Sequence, residues 1–119
     1  MSNRSSANVR RYEIEAIPML RLFVATDSQR RIRLSSDIVR MYGLDAGNRV
    51  ILGYDAAAKA IALKRAESAS DPTAANVDKA GYISARRFFD RTRLTPEARR
   101  YEFVTEQDGW LVFIAEDQL

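Results

Sequence analysis

The chain has 119 residues, 46% of them hydrophobic, and a formal net charge of +3, which fits one compact domain with a real core. It contains no cysteine and no histidine, which excludes disulfides, thiolate or imidazole metal sites and the Ser-His and Cys-His nucleophile systems. Without a P-loop or a dinucleotide fingerprint either, the expectation is a protein that is not an enzyme and that carries no metal and no cofactor.

No apolar run approaches the roughly 20 residues that cross a bilayer. The start, MSNRSSANVRR, lacks the apolar core of a secretory signal. A cytoplasmic protein without membrane contact is expected. Arginine supplies 16 of the 19 basic residues, and residues 1–65 balance at +6 while residues 66–119 balance at −3. Arginine offers a planar fork that fits phosphates and guanine edges, so the basic excess of the first half points to nucleic acid.

Residues 1–11 are poor in large apolar side chains and read as a tail. Tyr12 to Ile17 alternates and predicts a short strand that ends at Pro18. Leu20 to Ala25 predicts a stronger strand, and Asp27 to Arg30 a polar turn. Arg31 to Leu34 alternates strictly, with Ile32 and Leu34 facing the core and Arg31 and Arg33 facing outward. A short helix follows. Ser35 or Ser36 caps it, Asp37 suits its positive end, and Ile38, Met41 and Tyr42 form its apolar stripe, with Arg40 off that stripe. Gly43 ends the helix. Arg49 to Tyr54 and Lys59 to Lys64 then read as a hairpin around residues 55–58.

Residues 67–75 read as a linker. The second half repeats the order of the first. Gly81 to Ser84 is a strand, Ala85 to Arg93 a helix with Phe88, Phe89 and Thr92 inward, and Arg100 to Thr105 and Trp110 to Ile114 a second hairpin. Leu44 matches Leu94, and Ile61 and Leu63 match Leu111 and Phe113, all at an offset of 50. Val50 and Leu52 match Tyr101 and Phe103 at 51. One shared core is expected from Leu22, Ile32, Leu34, Ile38, Leu44, Val50, Leu52, Ile61, Leu63, Phe88, Leu94, Phe103, Leu111 and Phe113.

The tract from Asp27 to Ser35 (DSQRRIRLS), the short helix, and Tyr42 to Val50 (YGLDAGNRV) together resemble the AbrB/MazE/SpoVT family of DNA-binding domains. Its pattern is D-x-x-G-R-[hydrophobic]-x-[hydrophobic]-P, a helix, then L-G-[hydrophobic]-x-x-G-D-x-V and a hairpin. The match covers Leu20 to Arg65. It departs at Arg30, Ser35 and Asn48, where the pattern has glycine, proline and aspartate. The resemblance implies a mainly β fold with short helices (α+β), in which two β-α-β-β units interlock their hairpins into one barrel-like core. Residues 12–66 form one unit with an extra N-terminal strand, and residues 76–119 form a degenerate second unit. The units pair within one chain or between the chains of a homodimer.

The resemblance further implies an AbrB-like transcriptional regulator that binds double-stranded DNA, with contacts from Arg31 and Arg40. Strand alternation adds Arg33, and turn position adds Arg30. Arg31 and Arg33 lie about 7 Å apart on one strand face, near the spacing of neighbouring phosphates. Arg86-Arg87 and Arg99-Arg100 read as ordinary surface charge in an acidic half. Two other functions compete. One is a protein-interaction module such as an antitoxin or a mobile-element-encoded inhibitor. The other is a single-strand binder that stacks bases on Tyr101 and Phe103, against which stands their reading as core.

Overall fold

A computed structural model describes residues 9–119. In chain order it contains β1 (Phe23–Thr26), β2 (Arg31–Leu34), α1 (Ser36–Tyr42), β3 (Arg49–Asp55), β4 (Ala60–Arg65), β5 (Ala74–Asn76), β6 (Tyr82–Ser84), α2 (Arg86–Thr92), β7 (Arg99–Gln107) and β8 (Trp110–Ala115). A 3-10 turn over Glu116–Gln118 closes the chain. The fold is mainly β with two short helices, as expected. The eight strands form one antiparallel, nearly closed, barrel-like wall in the order β5-β3-β4-β8-β7-β1-β2-β6.

Local chemistry sets each element. Asp27 opens the β1–β2 turn, its Oδ1 accepting hydrogen bonds from the backbone N–H of Gln29 at 2.9 Å and of Arg31 at 3.0 Å. Such an Asx turn replaces backbone bonds that the bend removes. Asp78 does the same before β6, where its Oδ1 accepts from Ala80 and Tyr82. Ser35 caps α1: its Oγ accepts from Ile38 N–H and also from Phe23 N–H, which ties the helix start to β1. Gly43 ends α1 in the left-handed conformation at φ 63, a position that a Cβ disfavours. Arg93 ends α2 in the same conformation. Asp108 and Gly109, both at positive φ, make the two-residue turn between β7 and β8 that matches strand twist.

Four ladders join the two halves of the chain. β1 pairs with β7, β2 with β6, β3 with β5 and β4 with β8. The interior is shared in the same way. Val24, Ile32, Leu34, Ile38, Leu44, Val50, Ile61 and Leu63 pack with Val77, Ile83, Phe89, Tyr101, Leu111 and Phe113. Burying side chains of this size supplies most of the favourable free energy of folding. Thr26, a buried polar residue, donates its hydroxyl to the Glu97 carbonyl at 2.7 Å, so it is satisfied.

Several expectations need correction. Tyr12 to Ile17 forms no strand; Ile14 is 89% exposed, and no ladder partner lies beside it. Alternation licenses a strand only where a neighbour supplies the hydrogen bonds. The extra N-terminal strand is therefore absent, and the wall begins at Phe23 rather than Leu20. The segment 67–75 is not all linker, because β5 starts at Ala74 on the free edge of β3. On α1 only Ile38 is buried, and Met41 is 51% exposed. On α2 Phe89 is buried, whereas Phe88 is only half-buried, as are Leu22, Leu52, Leu94 and Phe103 at the rim of the core. The tail predicted for residues 1–11 falls outside the described residues except for its last three. Among the described residues no helix is long and apolar enough to cross a membrane.

Candidate nucleic-acid interface

The inward set Val24, Thr26, Ile32 and Leu34 leaves Phe23, Ala25, Arg31 and Arg33 on the outer face of β1 and β2. The registers extend this face in both directions. Ala25 stands opposite Arg33 on one side and Arg100 on the other. Arg33 in turn stands opposite Tyr82, and Arg31 opposite Ser84. One row across four strands therefore reads Arg100, Ala25, Arg33, Tyr82. The small side chain of Ala25 leaves the two guanidiniums room on either side.

Aromatic rings organise these charges. The Arg100 guanidinium lies 3.6 Å from the Phe23 ring centre and that of Arg33 lies 5.6 Å from it. Arg31 lies 4.3 Å over Tyr82. Such contacts stabilise a cation by about 0.5–1 kcal/mol at exposed sites and fix where a long side chain points. Arg31 also donates from Nε to Asp27 Oδ2 at 2.8 Å. Burial alone would raise the Asp27 carboxyl. The Arg31 N–H and guanidinium and the Gln29 N–H outweigh it and hold that carboxyl below its ordinary value. Arg100 Nε lies 2.9 Å from Glu102 Oε2 and 3.7 Å from Glu116.

The four arginines singled out from the sequence are thus not equivalent. Arg33 is held by Phe23 alone and has no carboxylate partner among the described residues. Arg30 is exposed at the turn in the left-handed conformation, φ 58, and has no carboxylate partner among the described residues. Arg31 is half-buried between Asp27 and Tyr82. Arg40 is exposed on α1 and ion-paired with Asp37, whose other oxygen accepts from Arg21 N–H. The β-face brings Arg31 and Arg33 together with Arg100, which the sequence reading set aside as ordinary surface. Its outward direction follows from the inward Tyr101, but its place beside β1 depends on a ladder between residues more than 70 positions apart.

Tyr101 is buried, and burial pushes its phenol up. Phe103 is half-buried against Phe113 at 5.8 Å, edge to face. Both rings are core, which removes them as a base-stacking platform. Trp110 is half-buried beside Gly53, under Lys64 at 4.4 Å. Among the described residues no cluster of three or more acidic side chains is placed to hold a metal. Comparison with protein-family models, curated proteins and solved structures gives no match to this chain.

Proposed function

We propose that this protein binds double-stranded DNA through the outer face of β7-β1-β2-β6 and acts as an AbrB-like transcriptional regulator. The observation that carries the reading is the row Arg100–Ala25–Arg33–Tyr82, with Arg31 beside it. It sets three guanidiniums on one rigid sheet face, where each is oriented by an aromatic ring. Guanidiniums in this arrangement suit phosphate oxygens along a backbone. Arg30 at the turn and Arg40 on α1 extend the basic surface. The Phe23 ring already carries the Arg100 guanidinium on one face and the Tyr82 ring that of Arg31, which reduces the ring surface left for a base. This favours duplex phosphate contact over single-strand stacking.

The second part of the proposal is that the chain is a tandem of two interlocked units, each a β-α-β-β set preceded by one further strand, β1 or β5. The ladder registers support it. Val24 pairs with Tyr101, and Val50 pairs with Ala75, so each residue and its counterpart differ by 51 positions. Leu34 N–H donates to the Gly81 carbonyl at 2.8 Å, and Ala85 N–H donates to the Arg30 carbonyl at 2.9 Å, again at an offset of 51. Each hairpin then lies against the first strand of the other unit, and a single chain contains both partners of the barrel.

The test is an anisotropy titration of a labelled mixed-sequence duplex at several salt concentrations. Contact with about four to six phosphates gives a logarithmic salt slope of about −4 to −5. An absence of binding at low salt refutes the reading.

A further inference from the structure

The wall has no ladder between β5 and β6, and a cavity of about 770 Å³ opens at that seam. Pockets that hold small organic ligands span roughly 300–1,000 Å³. Tyr54 and Phe88 line this one and meet edge to face at 5.9 Å. Arg87 and Arg91, one turn apart on α2, line it as well and are exposed. Among the described residues neither has a carboxylate within ion-pair distance. An apolar lining beside two unpartnered guanidiniums suits a ligand that is flat and apolar at one end and anionic at the other.

The cavity has a specific origin. Ala74 pairs with Ile51, as Phe23 pairs with Glu102, so at the 51-residue offset Ala74 stands where the first half has Phe23. At the same offset Ser84 stands where the first half has Arg33. In the first half the Phe23 ring and the Arg33 guanidinium lie 5.6 Å apart and occupy the corresponding place. The second half has a methyl group and a hydroxymethyl group there instead, and the space stays open.

We propose that this seam cavity is a binding site for a small aromatic anion, with its ring against Tyr54 and Phe88 and its acidic group held by Arg87 and Arg91. The site borders the Arg33 face at β6, where its lining residue Ser84 stands opposite Arg31, but its two guanidiniums lie on α2 and its test uses no DNA. The probe is anilinonaphthalene sulfonate, itself an aromatic anion, titrated into the full chain and followed by fluorescence and calorimetry. One saturable site is expected. The double substitution R87E/R91E weakens it roughly tenfold or more, because a charge-assisted contact becomes a repulsion. A74F restores the ring that the first half has and abolishes binding by filling the space. If A74F fails to fold, R87E/R91E decides alone, because both of its positions are exposed. Absence of a saturable site in the parent chain, or unchanged affinity in R87E/R91E, overturns the proposal.

Discussion

Ile32 and Ile83 are register partners at the centre of the β2–β6 ladder, and both are fully buried. Each comes from a different half of the chain, so this contact forms only when the halves meet. Replacing either with alanine leaves a void where the wall is joined. The expected cost is about 2–5 kcal/mol, read from urea denaturation midpoints. A loss under about 1 kcal/mol would mean that the two halves do not depend on this contact.

Residues 1–66 alone should not form a stable folded monomer. β1 would lack β7, β3 would lack β5 and β4 would lack β8, which leaves open edges and half a core. Circular dichroism and gel filtration of that fragment are expected to show either an unfolded chain or a self-associated one. A folded, monomeric fragment would rule out the interlocked arrangement.

Arg33→Ala should weaken duplex binding across sequences and reduce the salt slope by about one. Its stability cost is expected to stay near 0.5 kcal/mol or below, because Arg33 contacts Phe23 and no carboxylate. Arg31 is a less clean probe: its removal also strips Asp27 of its partner. Changing Arg86 and Arg87 together, which lie on α2 and not on the β-face, should alter DNA affinity less. If that pair abolishes binding and Arg33→Ala does not, the β-face is the wrong surface.

Asp27 should leave a signature in the acid limb of the stability curve. Its carboxyl sits below the ordinary value of 3.8 in the folded chain, so on acidification the unfolded chain takes up the proton first. The stabilisation is therefore full above about pH 5 and is lost as pH falls through the folded-state value. Asp27→Asn keeps the acceptor for Gln29 and Arg31 N–H but removes the titration. The gap in unfolding midpoint between parent and variant should narrow as pH drops below about 4. A gap that stays constant over that range contradicts the assignment.

Gly53 faces Trp110 so closely that an added Cβ would meet the ring at 2.9 Å. Gly53→Ala should force the indole to shift and cost about 1–3 kcal/mol. Trp110 is the single tryptophan of the chain, so its emission reports the displacement directly. An unchanged spectrum together with unchanged stability would show that the ring has room to move.

The elements fixed by local chemistry were legible in the sequence. Ser35, Asp37 and Gly43 mark both ends of α1, and the alternation of β2 assigns Ile32 and Leu34 inward and Arg31 and Arg33 outward. What depends on distant neighbours was not legible. Tyr12 to Ile17 has the alternation of a strand but no edge beside it. Ala74–Asn76 has weak strand propensity, yet pairs because β3 offers an edge and because the Arg49 guanidinium binds the Ala69 and Ala74 carbonyls. Phe88 and Phe89 are adjacent, so composition cannot say which one turns inward. Arg100 joins the basic face only through the β1–β7 ladder, which no local pattern announces.

Seven ladders tie eight strands, and the two loose ends, β5 and β6, lie next to each other. Mechanically this is a split ring rather than a hoop. A hoop can widen only by stretching or slipping every register at once. A split ring widens where it is cut, and strands bonded on both sides, such as β4 and β8, keep their partners. Amide protons of β5 and β6 should therefore exchange with solvent sooner than those of β4 and β8. Changes in girth would be absorbed at the cut beside α2, whose β6 edge carries Tyr82 and lies one strand from Arg33 on β2.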